Sequence, residues 1–337
     1  MSKIIIAIVM FLFLILIHEF GHFLLAKASG IKVNEFAIGM GPAIFKKQGE
    51  ETLYSLRLIP IGGYCAMEGE DDESSDPRSY DRAPAKSKFL TILAGPVMNL
   101  LLAVIIFFVV ALNTGVATKT IGGFSKDSPA KDAGVEVGDE VVSLAGQEVT
   151  SFTDISPILN EYYKNRDKDE KIPLEVLSNK ESKTYEISPM EENGSYYLGI
   201  ESKLRKTGIG EAIKLGFVET GKNIALIFVV LGRLFTGKIA FSALSGPVGV
   251  VKELGNQAQN GLMSLLYFLG YISVNLGVFN LLPIPALDGS KIVSALYEMI
   301  TGKRVNKKFE EKITLAGFVL LLGLILVISI KDIINLF

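Results

Sequence analysis

The chain has 337 residues, of which 49% are hydrophobic, and its mean hydropathy is +0.39. A soluble protein of this size is seldom so apolar, so the composition indicates several membrane-spanning segments together with a soluble part. The net charge of −2 does not suggest nucleic-acid binding, and a single cysteine, Cys65, excludes an internal disulfide bond and any metal cluster built on several cysteines.

The first segment, residues 4–26, predicts a helix that crosses a membrane. Residues 4–17 are apolar without interruption and lead directly into His18-Glu19-Phe20-Gly21-His22, after which apolar residues resume. At about 1.5 Å per residue, this segment would extend roughly 34 Å, enough for a hydrocarbon core. The sequence therefore places a His-Glu-x-x-His motif inside a membrane helix.

This motif predicts a zinc site. Residues four apart share a helix face, so His18 and His22 can direct two imidazoles at one point, and Glu19 can act as general base on a water. The third ligand is predicted to be Asp288, the lone carboxylate at the end of an apolar segment, since the chain has only two histidines. The alternatives are polar residues at a membrane interface for the motif and a helix cap or turn for Asp288. Ionisable groups are costly within a membrane, which favours the functional reading.

A short hairpin is predicted after the first helix. Residues 35–42 read as a glycine-rich loop, residues 52–61 as a strand, residues 62–64 as a turn and residues 65–67 as a return strand. Such a hairpin beside a membrane site either offers an edge to an extended peptide or is purely structural, and both readings stay open.

The second predicted span is residues 89–112. Gly95 and Pro96 are predicted to break or kink this helix near its start. Asn99 is polar within the apolar run, so it is predicted to form a hydrogen bond inside the bundle, with substrate contact as the minor alternative.

Three further segments follow the soluble part. Residues 204–260 have charges among their apolar residues and predict helices on the membrane surface, with residues 245–250 as a loop or re-entrant turn. Residues 261–287 are uncharged and predict a third span, in which prolines end the regular helix near Asp288. Residues 313–330 predict a fourth span.

Residues 115–203 differ in kind, being charged and rich in turns. Residues 128–149 resemble part of a PDZ domain, in which residues 152–163 would be the helix. Residues 197–200, Tyr-Leu-Gly-Ile, resemble the peptide-end-binding loop of permuted bacterial PDZ domains. The domain would bind a peptide by strand addition, or it would be a spacer with a filled groove.

The predicted fold is a polytopic α-helical membrane protein with four transmembrane helices, a membrane-associated β-hairpin and one extracytoplasmic PDZ domain. Residues 27–88 hold nine Lys and Arg, and residues 288–312 hold six. The positive-inside rule then puts both loops in the cytoplasm and both termini and the PDZ domain outside, with the site near the cytoplasmic side of the bilayer.

The chain resembles the site-2 proteases, in the bacterial branch typified by the regulator-of-sigma-E protease. The likeness covers nearly the whole chain and is carried by the following motifs: His18-Glu19-Phe20-Gly21-His22, Gly39-Met40-Gly41-Pro42, Pro60-Ile61-Gly62-Gly63-Tyr64, Gly95-Pro96-Val97-Met98-Asn99, one PDZ segment, Ser245-Gly246-Pro247-Val248-Gly249 and residues 280–289.

This resemblance implies an activity and a set of partners. The family cleaves transmembrane segments of single-span proteins that an upstream site-1-type protease has already trimmed, and the PDZ part acts as a size filter. Anti-sigma factors and remnant signal peptides would both fit as substrates. One PDZ domain is evident, where the best-known member has two, so the filtering mechanism is left open.

The resemblance also implies roles for single residues. His18, His22 and Asp288 would bind Zn2+, and Glu19 would activate water. Asn280 would help to hold the substrate backbone, and the hairpin at Tyr54, Ser55 and Leu56 would clamp the substrate as a strand.

Two other classes of protein fit parts of the pattern. A zinc transporter would need ligands along a path through the membrane, whereas these gather at one depth. An inactive relative that binds peptide ends through its PDZ part would not need His18, Glu19, His22 and Asp288 intact. The metal could be another divalent ion, although two histidines and one aspartate favour zinc.

Overall fold

The computed structural model describes residues 2–70, 74–167, 170–192, 195–240 and 245–334. The chain forms two compact units. The first contains Met1–Val110 and Ala212–Phe337, and the second contains Ala111–Glu211.

Seven helices and two long strands belong wholly or mainly to the first unit, within the residues described. The helices are α1 (Ser2–Ala28), α2 (Ala85–Thr114), α5 (Ile209–Phe235), α6 (Pro247–Gln259), α7 (Leu262–Leu281), α8 (Asp288–Thr301) and α9 (Lys307–Ile334). The strands are β1 (Val33–Gln48) and β2 (Leu53–Met67).

Five of the described helices, rather than the four predicted, are long and apolar enough to cross a membrane: α1, α2, α5, α7 and α9. The additional one is α5, where the sequence predicted surface helices. Its charges made the apolar run look too short, but the Tyr267 hydroxyl donates to Glu219 of α5 at 2.6 Å, so one of these charges has a polar partner on α7. The part of the predicted surface segment at residues 241–244 lies outside the described residues.

Two other predicted features differ from the structure. Helix α2 continues through Gly95 and Pro96, so of the predicted break or kink, the break does not occur. A helix begins at Pro247 where a loop was predicted, because proline suits the first helical turn and the Asp332 carboxylate accepts hydrogen bonds from the backbone of Gly246 and Gly249.

Helices α1, α2 and α7 pack together in this unit. Leu14 of α1 and Ile106 of α2 lie in one buried cluster with Leu269 of α7, and further along, the Ser273 hydroxyl of α7 donates to the Asn99 carbonyl of α2 at 2.7 Å. The last turns of α1 and the residues just after α7 therefore come together.

The hairpin is more complex than predicted. Residues 53–56 of β2 pair with residues 35–38 of β1 on one side and with residues 45–48 on the other, whereas residues 63–67 pair only with residues 33–38. The predicted loop at 35–42 is thus part of β1, which turns at Gly39 and Gly41, both at φ +83°. We call residues 53–56 the inner arm and residues 63–67 the edge arm.

The second unit is an α+β structure. Its larger sheet has the order β10 (Ile200–Arg205), β3 (Val116–Phe124), β4 (Glu140–Leu144), β6 (Ile172–Ser178), β7 (Glu181–Ile187), with β5 (Gln147–Glu148) beside β4. The remaining elements are helices α3 (Pro129–Asp132) and α4 (Ile155–Tyr162), 3₁₀ turns at Phe152–Asp154 and Tyr163–Asn165, and the pair β8 (Met190–Glu192) and β9 (Ser195–Tyr197). Alternate strand residues such as Val141, Leu174 and Val176 pack against α4 and form the hydrophobic core of this unit.

Candidate metal centre

His18 and His22 lie one turn apart on α1, and Asp288 is the first residue of α8. The Nε2 atoms of the two histidines are 3.2 Å apart. The Asp288 Oδ2 atom lies 2.9 Å from His18 Nε2 and 3.3 Å from His22 Nε2. The structure therefore brings together the three residues predicted as ligands.

These atoms fit a metal ion. Ligand atoms around a tetrahedral Zn2+ are about 3.3 Å apart, given Zn–N and Zn–O distances near 2.0–2.1 Å. Asp288 Oδ2 is buried and has no hydrogen-bond donor among the described residues, despite its closeness to both imidazoles. A cation bound between this acceptor and the two imidazole nitrogens would satisfy it.

Helix α2 supplies the surroundings of both imidazoles from one face. The residues involved are Thr91, Gly95 and Asn99, each four apart. His22 Nδ1 lies 2.9 Å from the Thr91 carbonyl oxygen, and His18 Nδ1 lies 3.4 Å from Asn99 Nδ2. A metal-binding histidine commonly donates its second ring N–H to an acceptor such as the Thr91 carbonyl, as His22 can here, and this fixes the ring orientation.

Two glycines allow the helices to approach this closely. A Cβ at Gly95 would overlap His22 Nε2 and His18 Cε1, and a Cβ at Gly21 would overlap the Ala94 carbonyl of α2. Sequence reasoning missed this function of Gly95 because a glycine inside a helix is also a general flexibility signal. The spacing of Thr91, Gly95 and Asn99 was the available clue.

Glu19, between the two histidines in sequence, faces the edge arm of β2. The backbone N–H of Cys65 donates to Glu19 Oε2 at 3.1 Å. This N–H points away from β1 and toward α1, so the outer side of the edge arm runs past the proposed general base. No signal in the sequence distinguished Cys65 for this contact.

Ion pairs hold α8, and hence Asp288, against the rest of the unit. The Lys88 ammonium of α2 donates to Glu298 at 2.8 Å, and the Lys291 ammonium donates to Glu70 at 2.7 Å. A cavity of about 710 Å³ lies beside these pairs and reaches Asp288. Its lining includes charged residues such as Glu70 and Lys291 as well as apolar ones such as Leu287 and Phe318.

The residues predicted to hold substrate occupy two places. Asn280 is partly buried in the last turn of α7, and its side chain makes no hydrogen bond within the described part of the chain. Tyr54 and Leu56 are exposed by 42% and 44% on the inner arm, whereas Ser55 is buried. Because the inner arm is paired on both sides, its backbone is not a free edge, contrary to the prediction of a clamp there.

A partly buried polar network links the strands of the hairpin. The hydroxyl of Ser55 and the guanidinium of Arg57 donate to the Glu35 carboxylate at 2.5 and 2.7 Å. Burial alone would raise the pKa of Glu35, but these hydrogen bonds outweigh it and hold the pKa below its usual range. The network ties the two strands together across the inner arm.

Comparisons with known proteins identify the family of this chain. The family description "Peptidase family M50" matches residues 6–324. A protein of Clostridium acetobutylicum named "Putative zinc metalloprotease" is 40% identical over 335 residues, covering 98% of this chain and 97% of that one. The zinc metalloprotease RasP of Geobacillus kaustophilus is 29% identical, covering 99% and 98%. A PDZ domain of an SdrC-like protein from Listeria monocytogenes matches 26% of this chain at 16% identity and a TM-score of 0.20, too weak to support an argument.

The apolar helices and the relatives define the class: the protein is a membrane-embedded metalloprotease with zinc as its cofactor. The chain belongs to peptidase family M50, the site-2 protease family, over nearly its whole length. The resemblance drawn from the sequence motifs is therefore confirmed.

Proposed function

We propose that this protein hydrolyses peptide bonds within transmembrane segments of single-span membrane proteins, with zinc held by His18, His22 and Asp288. The observation that carries this proposal is the convergence of three ligand atoms, 2.9–3.3 Å apart, where an apolar helix of membrane length meets the start of α8. Three protein ligands would leave a fourth position on zinc for water, and Glu19 is an adjacent carboxylate; both features suit hydrolysis rather than metal storage or transport.

The chain's own groups account for the proton transfers. When bound, zinc would act as a Lewis acid on the scissile carbonyl and on the attacking water. Glu19 takes the proton from that water as the water attacks, and then gives it to the amine that leaves. Thr91 holds the His22 ring through its Nδ1, so this imidazole keeps its Nε2 toward the reacting centre.

A substrate must lie extended at this site, because a helical peptide bond is shielded and already hydrogen-bonded. We assign strand addition to the edge arm, residues 63–67, in place of the inner arm. The pairing supports this choice, since the edge arm has one open side and the Cys65 N–H on that side points at Glu19. Tyr54 and Leu56 would then contact substrate through their exposed side chains, and Asn280 would bind its backbone through a free amide.

Site-specific cross-linking distinguishes the two arms. A photo-reactive residue at Ala66 should capture substrate, while one at Ser55 should not. Capture at Ser55 alone would return strand addition to the inner arm. Both variants must first melt at the temperature of the wild type, because each position packs closely in the hairpin.

The remaining parts of the proposal concern topology and partners. The Lys and Arg bias supports cytoplasmic loops at residues 27–88 and 288–312, with the termini and the second unit outside. The second unit would act as a PDZ domain over residues 115–203 that excludes substrates with intact ectodomains. An upstream site-1-type protease would remove those ectodomains, and anti-sigma factors or remnant signal peptides are the substrates that this order suits.

The proposal is tested by cleavage and metal content together. Purified wild type and Glu19→Gln are incubated with a tagged single-span protein truncated outside the membrane, and zinc is assayed in both. Product from the wild type alone, with zinc in both proteins, is the expected result. Glu219→Gln makes the same change on α5 and should cleave normally. Equal product from Glu19→Gln would overturn the assignment of the base, and a zinc-free wild type would overturn the ligand set.

A further inference from the structure

Asn99 presents a mismatch beside His18. It lies on α2 and is only 1% exposed. Its Nδ2 faces His18 Nδ1 at 3.4 Å, while its Oδ1 is buried without a hydrogen-bond partner among the described residues. A buried amide oxygen without a donor is uncommon and calls for an explanation.

The requirements of a metal ligand provide that explanation. A histidine that binds a cation through Nε2 is neutral and carries its proton on Nδ1, which then needs an acceptor. His22 meets this requirement through the Thr91 carbonyl. His18 does not, because Asn99 offers it a second donor. A flip of the Asn99 side-chain amide, which exchanges Oδ1 and Nδ2, would place Oδ1 beside the His18 Nδ1–H. His18 Nδ1 and Asn99 Oδ1 would then be hydrogen-bond partners of each other.

We propose that Asn99 is the positioning residue of His18, accepting a hydrogen bond from Nδ1–H through Oδ1 when zinc is bound. The inference rests on the ligand set of the proposed function. The backbone of Asn99 is itself held by the Ser273 hydroxyl of α7 at 2.7 Å, so the amide stands on a fixed point of the bundle. The two imidazoles are thus oriented from one helix face, by a backbone carbonyl and by a side-chain amide.

The test uses zinc affinity, rather than activity, to show whether the acceptor or the donor of the Asn99 amide is needed. Asn99→Leu removes both groups and should weaken zinc binding about 10- to 100-fold. Asn99→Asp keeps only acceptors and should bind zinc within about threefold of wild type, or more tightly. Affinity is measured on the detergent-purified full chain by competition with a chelating dye, with thermal melting of the metal-free proteins to confirm folding.

Asn223→Leu is the matched control, since Asn223 is a buried asparagine on α5 that bonds to the Glu219 carbonyl of its own helix. It should bind zinc within about twofold of wild type. In cobalt-substituted protein, the visible absorption bands should change in Asn99→Leu and remain unchanged in Asn223→Leu.

Three results would contradict the proposal. Wild-type zinc affinity in folded Asn99→Leu would show that His18 needs no such partner. A loss of tenfold or more in folded Asn99→Asp would show that the donor matters, and this variant decides alone if Asn99→Leu does not fold. His22→Ala tests the proposed function instead of the role of Asn99. Unchanged zinc affinity in this variant would contradict the assigned ligand set, and with it the proposed function.

Discussion

Replacing Gly95 by alanine should disturb the metal centre while leaving the fold intact. The added Cβ would overlap His22 Nε2 and His18 Cε1. Helix α2 cannot readily retreat, because its backbone contacts α1 at Gly21 and is tied to α7 through Ser273. The imidazoles must therefore move, and their convergence with Asp288 is lost.

The magnitude follows from the cost of overpacking, about 1–3 kcal/mol for an added methyl in a close-packed interior. If this cost falls on the metal-bound state, zinc affinity drops roughly fivefold to 150-fold, at 1.4 kcal/mol for each factor of ten. The assay is chelator competition on purified protein, with cleavage measured at saturating zinc.

Gly221→Ala is the control for this experiment, because it makes the same change in helix α5, where a Cβ would meet no atom within 4 Å. It should bind zinc normally and melt no lower than wild type, since alanine favours a helix over glycine by about 0.5–1 kcal/mol. Zinc affinity in Gly95→Ala equal to that of Gly221→Ala would refute the account of α2.

Three further predictions concern stability. Glu298→Gln should destabilise the protein by roughly 3 kcal/mol, because it leaves the buried Lys88 ammonium unpaired. Lys88→Met should cost less, because Glu298 keeps its ion pair with Arg304. Equal melting temperatures of the two variants would contradict this. The lowered pKa of Glu35 adds stability that is fully present above the carboxyl's usual pKa and is lost as the pH falls from that value through the lowered pKa. Glu35→Gln should therefore flatten the dependence of the melting temperature on pH below about pH 5, and an unchanged acid slope would argue against this. Zinc at a hundredfold excess over its Kd should stabilise wild type by about 2.7 kcal/mol and should leave His22→Ala unaffected, and an equal gain in both would place the ion elsewhere.

The sequence was sufficient to predict the helix that carries His18 and His22, because a long apolar run and a four-residue spacing are both local patterns. It also predicted that Asp288 would lie beside the two histidines, because carboxylates are absent from the apolar segment before it. These predictions needed only the period of a helix and the cost of charge in lipid.

The rest of the site depended on packing that the sequence pattern does not record. Thr91 acts through its backbone carbonyl and Gly95 through the absence of a side chain, so neither shows a chemical signature. The double pairing of the inner arm depends on chain reversals within β1 at Gly39 and Gly41, which read as a loop. The polar partner of Glu219 on α7 likewise became visible only once α5 was packed.

The position of the cut is the most direct test of the central claim. Wild-type protein is reconstituted in lipid vesicles with a truncated single-span substrate, and the new chain ends are identified by mass spectrometry, with Glu19→Gln as the blank. Ends inside the apolar segment of the substrate, absent from the blank, are the predicted result. Cleavage only in the flanking soluble residues would contradict an active site that works within the membrane.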